Sequence, residues 1–209
     1  MKKYELTEET FTVFGKTLYR IRAVRDFGSV KTGEFGGYIE KEENLSHFGN
    51  AWISGDARVF GDARVSGNAR VYGDARVSGD ARVSGNARVY GDARVFGDAR
   101  VSGNARVFGD ARVSGDARVS GNARVFGNAE VFNTRHFFVQ GPIGSRDGYV
   151  TFYRTKDDTV EVRCGCFSGS LQEFVNQVEE THGGSRYEKE YKLAAELAKV
   201  CIRLEGESR

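Results

Sequence analysis

One proline, one tryptophan and three cysteines stand among 209 residues, and each scarcity removes a class of protein. Cys164, Cys166 and Cys201 are odd in number and lack framework spacing, which argues against a disulfide scaffold and fits a reducing compartment. The chain is therefore expected to be cytoplasmic. No apolar run approaches the ~20 residues of a membrane span, and no apolar segment follows the basic start Met1-Lys2-Lys3. Neither charge dominates: 31 Lys and Arg face 29 Asp and Glu, a formal +2, so net charge names no partner. Histidine occurs only as His47, His136 and His182.

Repetition is abundant. Residues 48–131 are fourteen copies of a hexad, x-Gly-(Asp/Asn)-Ala-Arg-Val, with Trp52 and Glu130 replacing the arginine at the two ends. Internal repeats decide the fold before any other feature. From residue 56 the third position runs Asp-Asp-Asn four times, so asparagine returns every eighteen residues at Asn68, Asn86, Asn104 and Asn122. The first position keeps the same period: Ser66, Ser84, Ser102 and Ser120 form one series, Tyr72, Tyr90, Phe108 and Phe126 another. Three hexads thus make one turn, as in a triangular β-solenoid. Alanine and valine, two apart, point inward along a strand and the arginine between them points out. Glycine with Asp or Asn accommodates the corner. At about 4.8 Å per coil the array forms a prism roughly 22 Å tall. Val77, Val95 and Val113 are expected in one buried column, with Arg76, Arg94 and Arg112 outside it.

This pattern resembles the hexapeptide-repeat, left-handed β-helix proteins, and the handedness is implied by that resemblance alone. The segment 11–24 reads as a hairpin turning at Gly15-Lys16, suited to covering an open solenoid end. The following stretch, with Arg25-Asp26-Phe27-Gly28, Gly36-Gly37-Tyr38-Ile39 and Asn44-Leu45-Ser46, is similar to the start of YdcK-type proteins, which carry a transferase label. That resemblance implies a capped solenoid; a label resting on fold analogy transfers no chemistry. The expected fold is mainly β: a capping hairpin with its lead-in coil over 1–47, a triangular β-helix over 48–132, and a small α+β module over 133–209.

In the module, strands are predicted at 136–140, 149–154 and 159–164, followed by two helices. The first begins at a cap on Ser168 or Ser170, with Leu171, Phe174, Val175 and Val178 on one face. The second spans about 187–204, with Tyr191, Leu193, Ala194, Leu197, Val200 and Cys201 along an apolar side. The segment from Gly165-Cys166-Phe167 to Thr181-His182-Gly183 resembles a small domain of phages and mobile elements.

Function follows from what these parts offer. The array contains no histidine, whereas hexapeptide acyltransferases use one as base, and threonine is absent from its outward positions, which excludes an ice-binding face. Cys164, Cys166, His136 and His182 carry metal-ligand atoms, but Cys-x-Cys is tighter than usual zinc spacing, so no metal or cofactor is predicted. Cys166 with His182 as base is the enzymatic alternative. Ser145, Arg146, Arg154 and His182 are the expected binding residues of the module. Arg70, Arg88, Arg106 and Arg124 lack a local carboxylate and form a stripe for an anionic partner such as nucleic acid, with the aromatics expected on another face. Tyr72, Tyr90, Phe108 and Phe126, neighboured by Phe60, Phe96 and Phe132, form an apolar row expected to pair two copies into a homodimer. The reading is a non-enzymatic binding or scaffold protein, a phage or mobile-element accessory factor that binds and inhibits a host protein.

Overall fold

Alternation within the hexad sets the strand. Arginine and valine form two-residue strands, and the next hexad's first residue points outward again before the glycine corner. Fourteen such strands, β4 (Trp52–Ile53) to β17 (Glu130–Val131), follow β1 (Tyr4–Val13), β2 (Lys16–Ala23) and β3 (Phe35–Ile39) in the computed structural model, which describes residues 2–204. They stack as three parallel sheets: β5, β8, β11, β14 and β17; β4, β7, β10, β13 and β16; β6, β9, β12 and β15. Below these are called the Arg58, Arg70 and Arg64 faces. Val95 pairs with Val77 and Val113, and Arg94 with Arg76 and Arg112, so a coil is eighteen residues long. Every repeat alanine and valine is buried, forming one continuous core. Each buried valine contributes about 1.5–3 kcal/mol, but only when a neighbouring coil covers it. Gly85 illustrates the corner. Its φ is +66°, and a Cβ there would come within 3.0 Å of the Gly103 backbone nitrogen one coil up.

Parallel stacking gives the prism two unlike ends. On each face the arginine and the residue after the valine donate their N–H groups to carbonyls of the coil above, as in Arg88 N to Ala105 O at 2.9 Å and Tyr90 N to Val107 O at 3.0 Å, while the parallel register returns the upper valine's N–H to the lower arginine's carbonyl. Two N–H groups point up for each one that points down, so the bottom coil is left mainly with alanine and valine carbonyls and the top coil mainly with N–H groups, and buried orphans of either kind are costly. Donors answer at the bottom. The Lys3 ammonium reaches Ala51 O at 2.7 Å, the Asn44 amide reaches Gly61 O and Ala63 O at 3.0 and 2.8 Å, and Tyr38 N reaches Ala57 O at 2.9 Å. Lys3 is fully buried, and burial, reinforced by Arg25, pulls its pKa down to about 8. Acceptors answer at the top, where Arg124 N donates to Thr151 Oγ1 at 3.0 Å and Phe132 N approaches His136 Nδ1 at 3.5 Å.

The N-terminal hairpin differs from the expected one in its turn. The loop is Phe14-Gly15, since Val13 pairs with Lys16, and both loop residues have positive φ, 49° and 74°, as a tight hairpin turn requires. The hairpin also does more than cover the end. β2 pairs with β3, and β3 pairs in parallel with β5, so the cap extends the Arg58 face. Leu18 and Tyr38 bury Phe60 there.

Beyond the array, β18 (Phe137–Ile143), β19 (Gly148–Arg154), β20 (Val160–Cys164) and β21 (Phe167–Ser170) form an antiparallel meander, with α1 (Leu171–His182) and α2 (Arg186–Cys201) packed on it. Strand β21 was not expected, because Gly165-Cys166 is its hairpin turn rather than the approach to a helix. Ser170 caps α1 through a reciprocal pair with Glu173. Tyr153 of β19 joins the solenoid core and Thr155 bridges Ala129, which docks the sheet on the top coil. The inner face of α2 also departs from expectation. Tyr191, Ala194, Ala195 and Ala198 are buried, whereas Leu193, Leu197 and Val200 are 71%, 46% and 79% exposed. The small alanines let α2 lie close against the rest of the module, and that register turns the larger side chains outward.

Candidate binding sites

In the meander the β18–β19 and β20–β21 turns fall at the same sheet end, and α1 and α2 close over that end. The result is a cavity of about 440 Å³ lined by Ser145, Arg146, Cys166 and His182, among others. Its walls are the rings of Tyr149, Phe167, Phe174 and Tyr191, which the sequence alone places on a strand, before the first helix and on two helix faces without joining them. The shared end of two consecutive hairpins was the signal that joins them. His182 stands in the last turn of α1 with its ring 5.6 Å from Tyr191 and 5.9 Å from Tyr187. Burial, together with the neighbouring Cys164, pushes the Tyr191 phenol up to about 12. Burial likewise raises the Cys164 thiol, with the Tyr191 hydroxyl acting in the opposite direction. Gly144 N donates to Glu190 Oε2 at 2.6 Å, tying the first hairpin turn to α2.

Two expected participants are elsewhere. Arg154 is only 3% exposed: its Nε donates to Asp158 at 2.6 Å and its guanidinium lies 4.8 Å from the Phe132 ring, so it serves the junction and offers no accessible contact. His136 is buried at the solenoid exit against Phe132 and Asn133. The four Cys and His residues are thus not gathered, and no three metal-binding side chains converge among the described residues. Cys166 is exposed and shares the cavity with His182, yet among the described residues no hydrogen bond joins them as a nucleophile and its base require.

The second arrangement is the Arg70 face. Asn50, Asn68, Asn86, Asn104 and Asn122 form a ladder in which each side-chain amide donates to the next at 3.1–3.2 Å. Two residues along, Arg70 pairs with Arg88, Arg88 with Arg106 and Arg106 with Arg124. Two further along stand the aromatics. Their rings stack at 4.8, 4.9 and 5.1 Å, with interplanar angles of 1°, 1° and 18°. The expectation that arginines and aromatics occupy different faces is therefore corrected. A hexad boundary separates them in sequence, but alternation returns the first residue of the next hexad to the same outer surface. Stacking half-buries each ring, and Tyr153 and Arg163 of the module cover Phe126 at the top. Phe60, Phe96 and Phe132 form no such stack, because Ser78 and Ser114 intervene. Burial and the adjacent Tyr90 raise the Tyr72 phenol, while Arg88, Arg106 and Arg70 oppose the rise.

Residues 51–67, 63–79, 75–91, 81–97, 87–103, 99–115 and 117–131 match the family model described as the YdcK beta solenoid repeat. The similarity covers the array and reaches neither the hairpin nor the C-terminal module. A comparison with curated proteins found no match.

Proposed function

We propose that this chain is a non-enzymatic binding protein in which the solenoid is a rigid mount and the C-terminal module engages a protein partner. One observation carries the reading: α2 turns alanines inward and leaves Leu193, Leu197 and Val200, spaced i, i+4 and i+7, on the surface. Large apolar residues at this spacing form the anchor row by which a helix seats in a partner's groove. The cavity beside Arg146 and His182 adds a second hold, with aromatic walls for an apolar side chain and the Arg146 guanidinium for a carboxylate. The three cysteines are free thiols, which suits action in the cytoplasm. The resemblance of 165–183 to a phage or mobile-element domain suits an accessory factor acting on a host protein, and inhibition of that protein is the proposed outcome of binding.

The test is capture from a bacterial lysate by the full chain, compared with a triple variant Leu193→Ser, Leu197→Ser, Val200→Ser. At least one protein should be retained by the parent and lost from the variant, with the unfolding temperature of the variant unchanged. Arg146→Ala should weaken the same capture. Identical retention by parent and triple variant would overturn the reading.

A further inference from the structure

The aromatic stack on the Arg70 face stops one ring short. Trp52 pairs with Arg70 and Ile53 with Val71, which sets Ser54 directly beneath Tyr72, where every higher coil has a ring. Tyr90 covers one face of Tyr72, and among the described residues no ring covers the other. The missing ring leaves a notch of about 500 Å³ lined by Ser29, Trp52, Ser54, Arg70, Tyr72 and Arg88. Trp52 is 2% exposed, and its indole N–H has no hydrogen-bond partner among the described residues. A second hollow of about 410 Å³ shares Arg70 and Arg88 with the notch and adds the amides of Asn68 and Asn86. Ser29 Oγ accepts from Arg70 at 2.8 Å, and no carboxylate pairs with Arg70 or Arg88 among the described residues.

We propose that this notch binds a nucleotide, independently of the C-terminal module. The base continues the stack beneath Tyr72, at a spacing the protein's own rings already use, and its phosphate lies on Arg70 and Arg88 beside the amide ladder. The two hollows match the two halves of the ligand. One offers a bare aromatic face and hydroxyls, the other guanidinium and amide donors with no competing anion. A free mononucleotide and the end of a single strand present the same chemistry, but the strand also has phosphates for Arg106 and Arg124.

Titration calorimetry of the 209-residue chain separates these sources, using adenosine monophosphate, inorganic pyrophosphate and a 5′-phosphorylated ten-nucleotide single strand. The mononucleotide should bind at least about tenfold more tightly than pyrophosphate, the factor expected of one base stacking on an aromatic ring. Preference for the strand, lost with Arg106→Gln and Arg124→Gln and weakened by salt, would assign the site to nucleic acid; equal affinity would assign it to the free nucleotide. Ser54→Tyr, which completes the stack with a fifth ring and preserves the coil, should abolish binding, and Arg88→Gln should weaken it about tenfold or more. Unchanged binding by Ser54→Tyr, equal affinity for pyrophosphate and mononucleotide, or no binding of either nucleotide probe at millimolar concentration would overturn the proposal. A dimer seen by light scattering and dissolved by Tyr90→Ser would also overturn it, assigning the face to a second copy of the chain.

Discussion

Two faces of one prism are built from the same hexad and differ only at its outward positions. On the Arg64 face each arginine stands between an aspartate and a serine, as Arg82 does between Asp80 and Ser84. On the Arg70 face each of the four stands between an asparagine and an aromatic ring, as Arg88 does between Asn86 and Tyr90. The interiors are alike, with alanine and valine buried on both. The comparison teaches that a solenoid separates its folding code from its surface code: the inward pair holds the coil, and the outward positions are free to carry chemistry at any face. It also explains why the unneutralised arginines have a character that net charge conceals. Replacing aspartate by asparagine at every third corner removes the local anion from one face while leaving the protein near neutrality.

The largest effects should be indifferent to the face. Val83→Asp and Val89→Asp each bury an unpaired carboxylate and should cost several kcal/mol, unfolding adjacent coils together in a circular-dichroism melt. A clear difference between the two would mean that the interiors are not equivalent. Next come the rings. Phe108 lies between partners at 4.9 and 5.1 Å, so Phe108→Ser should cost about 1–3 kcal/mol in denaturant titrations. Phe96, 40% exposed and without a ring partner among the described residues, should cost under about 1 kcal/mol when changed to serine.

A smaller effect separates the corners. Asn86→Asp removes the amide that donates to Asn104 and should cost about 1 kcal/mol. Asp98→Asn relieves a column of like charges and should stabilise by a few tenths of a kcal/mol. Opposite signs are the expected result of paired denaturant titrations. Smallest is an ionisation shift. The arginines hold the Tyr72 phenol down against burial, so Arg88→Gln should raise its midpoint further, as followed by ring-proton chemical shifts.

Where the chain repeats, its sequence could be read nearly residue by residue, because an error in register would place every valine in water. Val95 falls in its predicted column for this reason. The grouping of Arg88 with Tyr90 was obscured by treating the hexad as the structural side, although the physical side begins after one glycine and ends before the next. In the module, legibility fell with periodicity. The cap of α1 was legible as Ser168 or Ser170 because its hydrogen bonds are local, and the reciprocal pair with Glu173 selects Ser170. The inner face of α2 was not, since leucine and alanine alternate in a way that permits two apolar sides, and only packing against the sheet chooses the one with alanines. The burial of Arg154 depends on Phe132 and Asp158, contacts that no local pattern announces. The cavity required knowing that two hairpin turns and two helices share one end of a sheet.

The three-hexad coil has a consequence for how such a molecule can change length. Because each hexad carries the chain a third of the way around the axis, the number of hexads fixes the compass heading of the C-terminal module relative to the hairpin. Removing eighteen residues, such as 78–95, would lower the module by one strand spacing, about 4.8 Å, and leave its heading and every column intact. Removing six would swing it through about 120° and run asparagine into aspartate columns. The array is in this sense an indexed post, with height adjustable in steps that preserve direction and direction adjustable only by mixing its faces.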